Sequence, residues 1–272
     1  MSELVTIDIE RGVADVRLNR PDKYNALSGE MFKSIANAGE CLARDNSLRA
    51  VVLSGNGKGF CAGLDFQSFQ GMAGGGGGGN GAAPSDVPTP NVGKPANLFQ
   101  AVAYQWKTLP VPVIAAIHGV AYGGGFQIAM GADIRFARPD ARLSVLEIKW
   151  GLIPDMGITQ TARGVIRLDI LKELTFTGRI VSGEEAEKLG LVTHVSENPL
   201  EDALALAREI ATKSPHAIRA GKELLRESLE TSAEESLGLE AALQGKLIGT
   251  PNQVESVLSN MEKREPKYAD PE

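Results

Sequence analysis

Two glycine-bearing stretches hold the clearest chemistry in this chain. In GVAYGGGFQIAMG, Gly123, Gly124 and Gly125 stand between an apolar run (residues 111–117) and an apolar segment with helical spacing (residues 126–130). A turn without side chains that feeds a helix start presents free N–H groups backed by the helix dipole, which suits an oxygen carrying negative charge. Glycine there also permits positive φ and close approach of another group. A single glycine pair would read as a packing turn; three directly before a helix bring an anion or oxyanion site level with that reading. KGFCAGLD (residues 58–65) is a second strand-to-helix loop with its own glycines. Downstream, EIKWGLIPDMGITQ (residues 147–160) carries two carboxylates, Glu147 and Asp155, eight positions apart. Each has a plain alternative: most glutamates lie on the surface, and an Asp before Met-Gly-Ile-Thr fits a helix N-cap.

Other chemistries find less support. Cys61 has no histidine beside it in sequence, which argues against a thiol nucleophile. His118 opens the glycine turn and reads as a loop or core residue rather than a base. The triple glycine lacks the last glycine of a dinucleotide fingerprint, and the six glycines at 74–79 are not followed by Lys-Ser or Lys-Thr at Walker spacing. No nucleophile elbow of the G-x-S-x-G type occurs.

The elements that must position these residues follow from periodicity. Residues 4–9 and 13–18 alternate around Arg11-Gly12 and predict a β-hairpin. Ser28 is a plausible N-cap for a helix reaching about Arg44. Residues 50–53 form a short buried strand, 97–109 a helix, 111–117 a buried strand and 134–137 another. Short helices are expected at 168–176 and 184–189, and a last strand at 191–195. Beyond Pro199 the pattern is almost wholly helical. Repeated strand–helix units predict an α/β core. Residues 71–95, rich in glycine and proline, cannot bury enough apolar surface to fold alone and read as a flexible insertion. With 43% hydrophobic residues in 272 there is ample material for a core, and a net charge of −6 argues against nucleic-acid binding. The absence of a long apolar run predicts no membrane span, and the acidic N-terminus reads as no signal peptide. Two cysteines make no disulfide framework or metal cluster, so a cytosolic (cytoplasmic) protein without metal is expected.

The motifs then resemble one family. FCAGLD at 60–65, HGVAYGGGFQIAMGADIRFA at 118–137 and EIKWGLIPDMGITQ at 147–160 are similar to the oxyanion and carboxylate segments of the crotonase superfamily, the enoyl-CoA hydratase/isomerase family. The tail, with SPHAIRAGKELL and NMEKREPKYADPE, fits as well. The likeness covers essentially the whole chain apart from the insertion. It implies an α/β, crotonase-like spiral of repeated ββα units over residues 1–198 and a C-terminal helical trimerisation region over 199–272. The implied partner is an acyl-CoA substrate, with coenzyme A part of the substrate and no separate cofactor, and the implied assembly is a homotrimer or a dimer of trimers.

Carried over position by position, the resemblance assigns the oxyanion hole to the backbone N–H groups of Leu64 and Gly124. It gives Ala62, Asp65 and Gln127 to substrate binding. Lys58 and Lys222 are candidates for the coenzyme A phosphates, isolated lysines otherwise being solvated. Hydratases of this family resemble one another in carrying two glutamates; here the first position is Gln127, an amide that transfers no proton, and the second is Glu147. Set in an apolar pocket, Glu147 would have its pKa raised toward that of a general base. Asp155 stands where the dienoyl-CoA isomerase branch places an aspartate, although that branch also has an acid at the position of Gln127. One carboxylate shuttling a proton is enough for a double-bond shift, whereas hydration must deprotonate water as well. The residues therefore favour enoyl- or dienoyl-CoA isomerisation. The alternatives are hydration of a 2-enoyl-CoA, as in fatty-acid β-oxidation, and an acyl-CoA-binding member without catalysis.

Overall fold

The computed structural model describes residues 3–65 and 96–272; the glycine-rich insertion expected at 71–95 lies outside them. Strands β1 (Val5–Glu10) and β2 (Val13–Leu18) form the predicted antiparallel hairpin, pairing Val5 with Leu18 and Glu10 with Val13. Helix α1 (Gly29–Ala43) starts where expected, with the Ser28 hydroxyl accepting from Met31 N at 3.3 Å. Strand β3 (Ala50–Gly55) follows, then α2 (Leu98–Thr108), capped by a reciprocal Asn97–Gln100 pair. Next come β4 (Val113–Ile117), β5 (Val120–Tyr122), α3 (Gly124–Met130), β6 (Ile134–Ala137), β7 (Arg142–Ser144) and a 3-10 turn, Glu147–Trp150. The chain continues through α4 (Ile158–Thr161), α5 (Leu168–Thr177), β8 (Val181–Ser182), α6 (Gly183–Lys188) and β9 (His194–Val195). Four helices end it: α7 (Pro199–Ala211), α8 (Pro215–Glu227), α9 (Ala233–Leu247) and α10 (Pro251–Glu262).

Six strands make the main sheet in the order β1-β2-β3-β4-β6-β9, parallel throughout except for the opening hairpin. β3 and β4 are buried on both faces and accordingly read as continuous apolar runs. Strand alternation splits their side chains between two cores. Val16, Val51, Leu53, Ala115 and Ile117 face the larger one with α1, α2 and α3. Val13, Ala50, Val52, Ile114 and Ala116 face the smaller, where the fully buried Ala203 and Ala207 of α7 lie close against the sheet. A second sheet, β5-β7-β8, is built from strands of only two or three residues.

Lys222 on α8 corrects the expectation of a solvated lysine. Its side chain is 7% exposed, and its ammonium donates to Trp106 O (3.0 Å), Val111 O (2.8 Å) and Asp133 Oδ2 (2.7 Å). Asp133 also accepts from Val113 N at 2.7 Å. All three ammonium hydrogens are thereby used in joining the end of α2, the entry to β4 and the α3–β6 link, none of which leaves a donor for a phosphate.

Candidate active site

The two glycine loops are one structure. Residues 59–65 run beside β5: Phe60 N donates to His118 O (2.9 Å), Cys61 N to Val120 O (3.0 Å) and Tyr122 N to Cys61 O (3.0 Å). A side chain on Gly125 would put its Cβ 2.2 Å from Cys61 O, so the helix meets the loop only through a glycine. Gly63, at φ 85°, would carry a Cβ 2.6 Å from Tyr122 O and 3.5 Å from Gly124 N. The backbone before Leu64 thus touches the start of α3.

Both proposed donors are unspent. Leu27 and Leu64 form an isolated parallel bridge, in which Leu27 N donates to Gly63 O (2.8 Å) and Asp65 N to Leu27 O (3.1 Å). That pattern uses the neighbours of Leu64 and leaves its own N–H facing away from Leu27. Gly124 is the first residue of α3, where an N–H has no intrahelical acceptor, and the preceding Gly123 offers no side-chain cap. Neither N–H donates to an acceptor among the described residues. Only Gly123 of the three glycines has a turn conformation (φ 50°, ψ −117°); Gly124 and Gly125 are helical. A bare three-residue turn was expected, and a short strand, β5, also intervenes between β4 and the glycines.

Glu147 opens the 3-10 turn after β7, half-buried rather than on the surface. A Cβ on Gly123 would sit 3.3 Å from Glu147 Oε1, which places the carboxylate against the residue preceding Gly124. Gln127 Nε2 donates to Glu147 Oε1 at 2.6 Å, while Glu147 Oε2 is enclosed and has no hydrogen-bond partner among the described residues. Burial pushes the carboxyl above the usual range, and the nearby charge of Asp155 adds to it; hydrogen bonds from Gln127 and from the local backbone oppose the shift.

Asp155 does not cap a helix. α4 begins at Ile158 behind Gly157, which sits at φ 86° with no side-chain cap. Asp155 is exposed as a residue, yet its carboxyl is desolvated enough to be held above its ordinary range. Gln127 is fully buried, and its Oε1 accepts from Met156 N at 2.8 Å, so its amide joins Glu147 to the peptide after Asp155.

Ala62 and Asp65 are held by the protein itself. Ala62 N donates to Tyr24 O (2.9 Å), and the Asp65 carboxylate pairs with Arg20, whose Nη1 also donates to Ala26 O (3.1 Å). Both contacts anchor the loop. The residue that sequence reasoning missed is Asn25. Fully buried at φ 56°, it places Nδ2 at 3.0, 2.9 and 3.1 Å from the carbonyls of Asn56, Gly59 and Phe60, and accepts from Arg20 N at 2.8 Å. An Asn following Tyr24 is one of the few side chains that tolerates left-handed backbone, the only signal available. Cys61 is buried, its thiol near Asn25 O (3.2 Å) and pushed up to about 12 by burial, so it holds no thiolate at neutral pH. His118 is tied through Nε2 to Gly57 O (3.0 Å) as a loop residue. Among the described residues no cluster of three or more His, Cys, Asp or Glu could hold a metal ion, and no helix is long and apolar enough to cross a membrane.

Fold and site together are those of an α/β enzyme with two backbone loops meeting beside a desolvated carboxylate. The family model of enoyl-CoA hydratase/isomerase matches residues 8–271. Mouse mitochondrial methylglutaconyl-CoA hydratase is 34% identical over 95% of this chain and 80% of its own length. Human mitochondrial Delta(3,5)-Delta(2,4)-dienoyl-CoA isomerase is 35% identical over 95% of this chain and 79% of its own. The crystal structure of enoyl-CoA hydratase from Bacillus anthracis superposes with a TM-score of 0.86 at 29% identity, covering 97% of this chain and 98% of that one. The chain belongs to the enoyl-CoA hydratase/isomerase family of the crotonase superfamily and is an enzyme of that family.

Proposed function

We propose that the chain moves a double bond within an unsaturated acyl-CoA thioester, coenzyme A being part of the substrate. Leu64 and Gly124 N–H groups hold the thioester oxygen as it gains charge. Glu147 removes a proton from the carbon next to the carbonyl, breaking that C–H bond and sending its electrons into an extended enolate. The same carboxyl, or Asp155 beside it, returns a proton two carbons further along, and the double bond has shifted. A preset donor favours the charged transition state over the neutral substrate and contributes roughly 2.7–4 kcal/mol. The raised pKa of Glu147 brings it closer to the working pH of a general base.

The observation that carries isomerisation over hydration is Gln127. Its buried amide has both polar ends committed within the protein and neither deprotonates water. Hydration remains the second reading, because Asp155 supplies a second desolvated carboxyl and relatives include enzymes named hydratases. Assay with 2-enoyl-, 3-enoyl- and 3,5-dienoyl-CoA esters separates them. Brisk hydration of crotonyl-CoA with no migration on any 3-enoyl or 3,5-dienoyl ester would replace the isomerase reading. Asp155→Asn should slow double-bond migration about 10²-fold with KM little changed; an unchanged kcat would remove Asp155 from the proton path.

The same reading includes a homotrimer or a pair of trimers. Leu237 on α9, Ile248 just past its end and Met261 on α10 are 62%, 66% and 76% exposed, and Val254, Val257 and Leu258 of α10 are exposed as well. Large apolar side chains left exposed in this number are the kind of surface an interface covers. Sedimentation at micromolar concentration should give at least three times the 28.8 kDa chain mass; a monomer would refute it. Two of the relatives are named as mitochondrial, so the cytosolic expectation gains nothing from them.

A further inference from the structure

The orientation of the Gln127 amide is dictated by its neighbours. Met156 N–H is a backbone donor with no alternative role, so the atom 2.8 Å from it must be the amide oxygen. The other end, Nε2, then necessarily points at Glu147 Oε1, 2.6 Å away. A side chain with no exposed surface, fixed at both ends, cannot swap its donor for its acceptor. Of the two Glu147 oxygens, one is occupied by this bond, and the enclosed Oε2 is left without a partner among the described residues. An enclosed polar oxygen without a hydrogen bond is costly and is retained where it is used. Met156 is also the residue after Asp155, so the bond to its N–H fixes the peptide that carries the second carboxyl.

We propose that Gln127 is a positioning residue: it reserves Glu147 Oε2 as the proton-carrying atom and, through Met156 N–H, fixes the Asp155 segment relative to that oxygen. The inference rests on the double-bond-migration reading and deepens it. The spacing between the two proton carriers determines which pair of carbons exchanges a proton, and one buried amide sets it. Gln127 does not meet substrate, so its effect falls on turnover and not on binding. Among the described residues the charged group acting on Glu147 is Asp155, which already raises its pKa in the same direction as burial. Nε2 of Gln127 favours the ionised carboxylate against both.

Gln127→Met keeps the volume of the side chain and deletes both bonds. On whichever ester the unaltered protein turns over, kcat should fall about ten- to a hundredfold with KM changed less than about threefold. Activity depends on ionised Glu147 and is lost as pH falls through its pKa. Removing the donor raises that pKa, so the acid limb of the kcat profile should move to higher pH. A purely structural role would lower the amount of folded enzyme and leave the limb in place. An unchanged kcat and an unmoved limb would overturn the proposal. A second measurement needs no activity and leaves Gln127 itself unaltered. In the unaltered protein the side-chain amide protons of Gln127 should exchange slowly with solvent and shift with pH as Glu147 titrates, a shift that Glu147→Gln abolishes. If the amide exchanges freely and is blind to Glu147, Gln127 does not position it, whatever the protein does to thioesters. If the titration shift is present and no enoyl ester is turned over, the reaction reading fails and the positioning role stands.

Discussion

Glu147→Gln should lower kcat about 10³-fold or more while leaving the dissociation constant for an acyl-CoA within a few-fold of the unaltered protein. The substitution is nearly isosteric, and an amide oxygen at the Oε1 position still accepts from Gln127 Nε2. What it removes, under the proposed mechanism, is the group against Gly123 that both takes and gives a proton. No other described carboxyl is hydrogen-bonded to Gln127, whose other end meets the backbone N–H of Met156. Single-turnover kinetics with calorimetric binding measures the two quantities separately. A variant with near-normal kcat would sink the assignment; one with weakened binding and intact kcat would make Glu147 a binding group.

Gly125→Ala should produce the second large loss, about 10²- to 10³-fold in kcat, without touching any group that moves a proton. Alanine is the better helix former and would ordinarily stabilise α3. Here its Cβ would lie 2.2 Å from Cys61 O and 2.8 Å from Cys61 Cβ. Backbone must move, and the strip that moves carries Leu64. Under the proposed mechanism Leu64 N–H is one of two oxyanion donors, and displacing it forfeits the stabilisation that it alone supplies in the transition state. Gly221→Ala on α8, where an added Cβ meets nothing within 4 Å, serves as the control and should be neutral or slightly stabilising. A Gly125→Ala protein that is folded and fully active would show that the two loops need not touch.

Much of this was legible because the sequence carries it locally. The hairpin, the Ser28 cap and the buried parallel strands follow from alternation, caps and apolar runs. The α/β fold was expected, and the TM-score of 0.86 to a hydratase of this fold bears it out. What stayed hidden depends on distance in space. Strands β7 and β8, three and two residues long, are too short to show a period. The strand expected at 191–195 shrinks to His194–Val195, because Leu191 N closes α6 by donating to Ala186 O at 2.8 Å. The triple glycine read as one bare turn, yet two of its members are helical and are glycine for space alone. The Asn25 clamp reaches 31 to 35 residues along the chain, and the Gln127–Met156 bond 29, with nothing in the intervening sequence to announce either. The N-cap alternative for Asp155 was locally sound and failed because Gly157 took the capping position.

The parallel bridge between Leu27 and Leu64 has a consequence for how the site is inherited. Under the proposed mechanism, the half that draws charge onto the thioester oxygen is written in main-chain connectivity, and no side-chain exchange at 64 erases it. The half that handles protons is written in three exchangeable side chains, at 127, 147 and 155. A scaffold divided in this way keeps its activating step through any change of proton traffic. Relatives about a third identical to this chain, one named a hydratase and another an isomerase, are what such a division would produce.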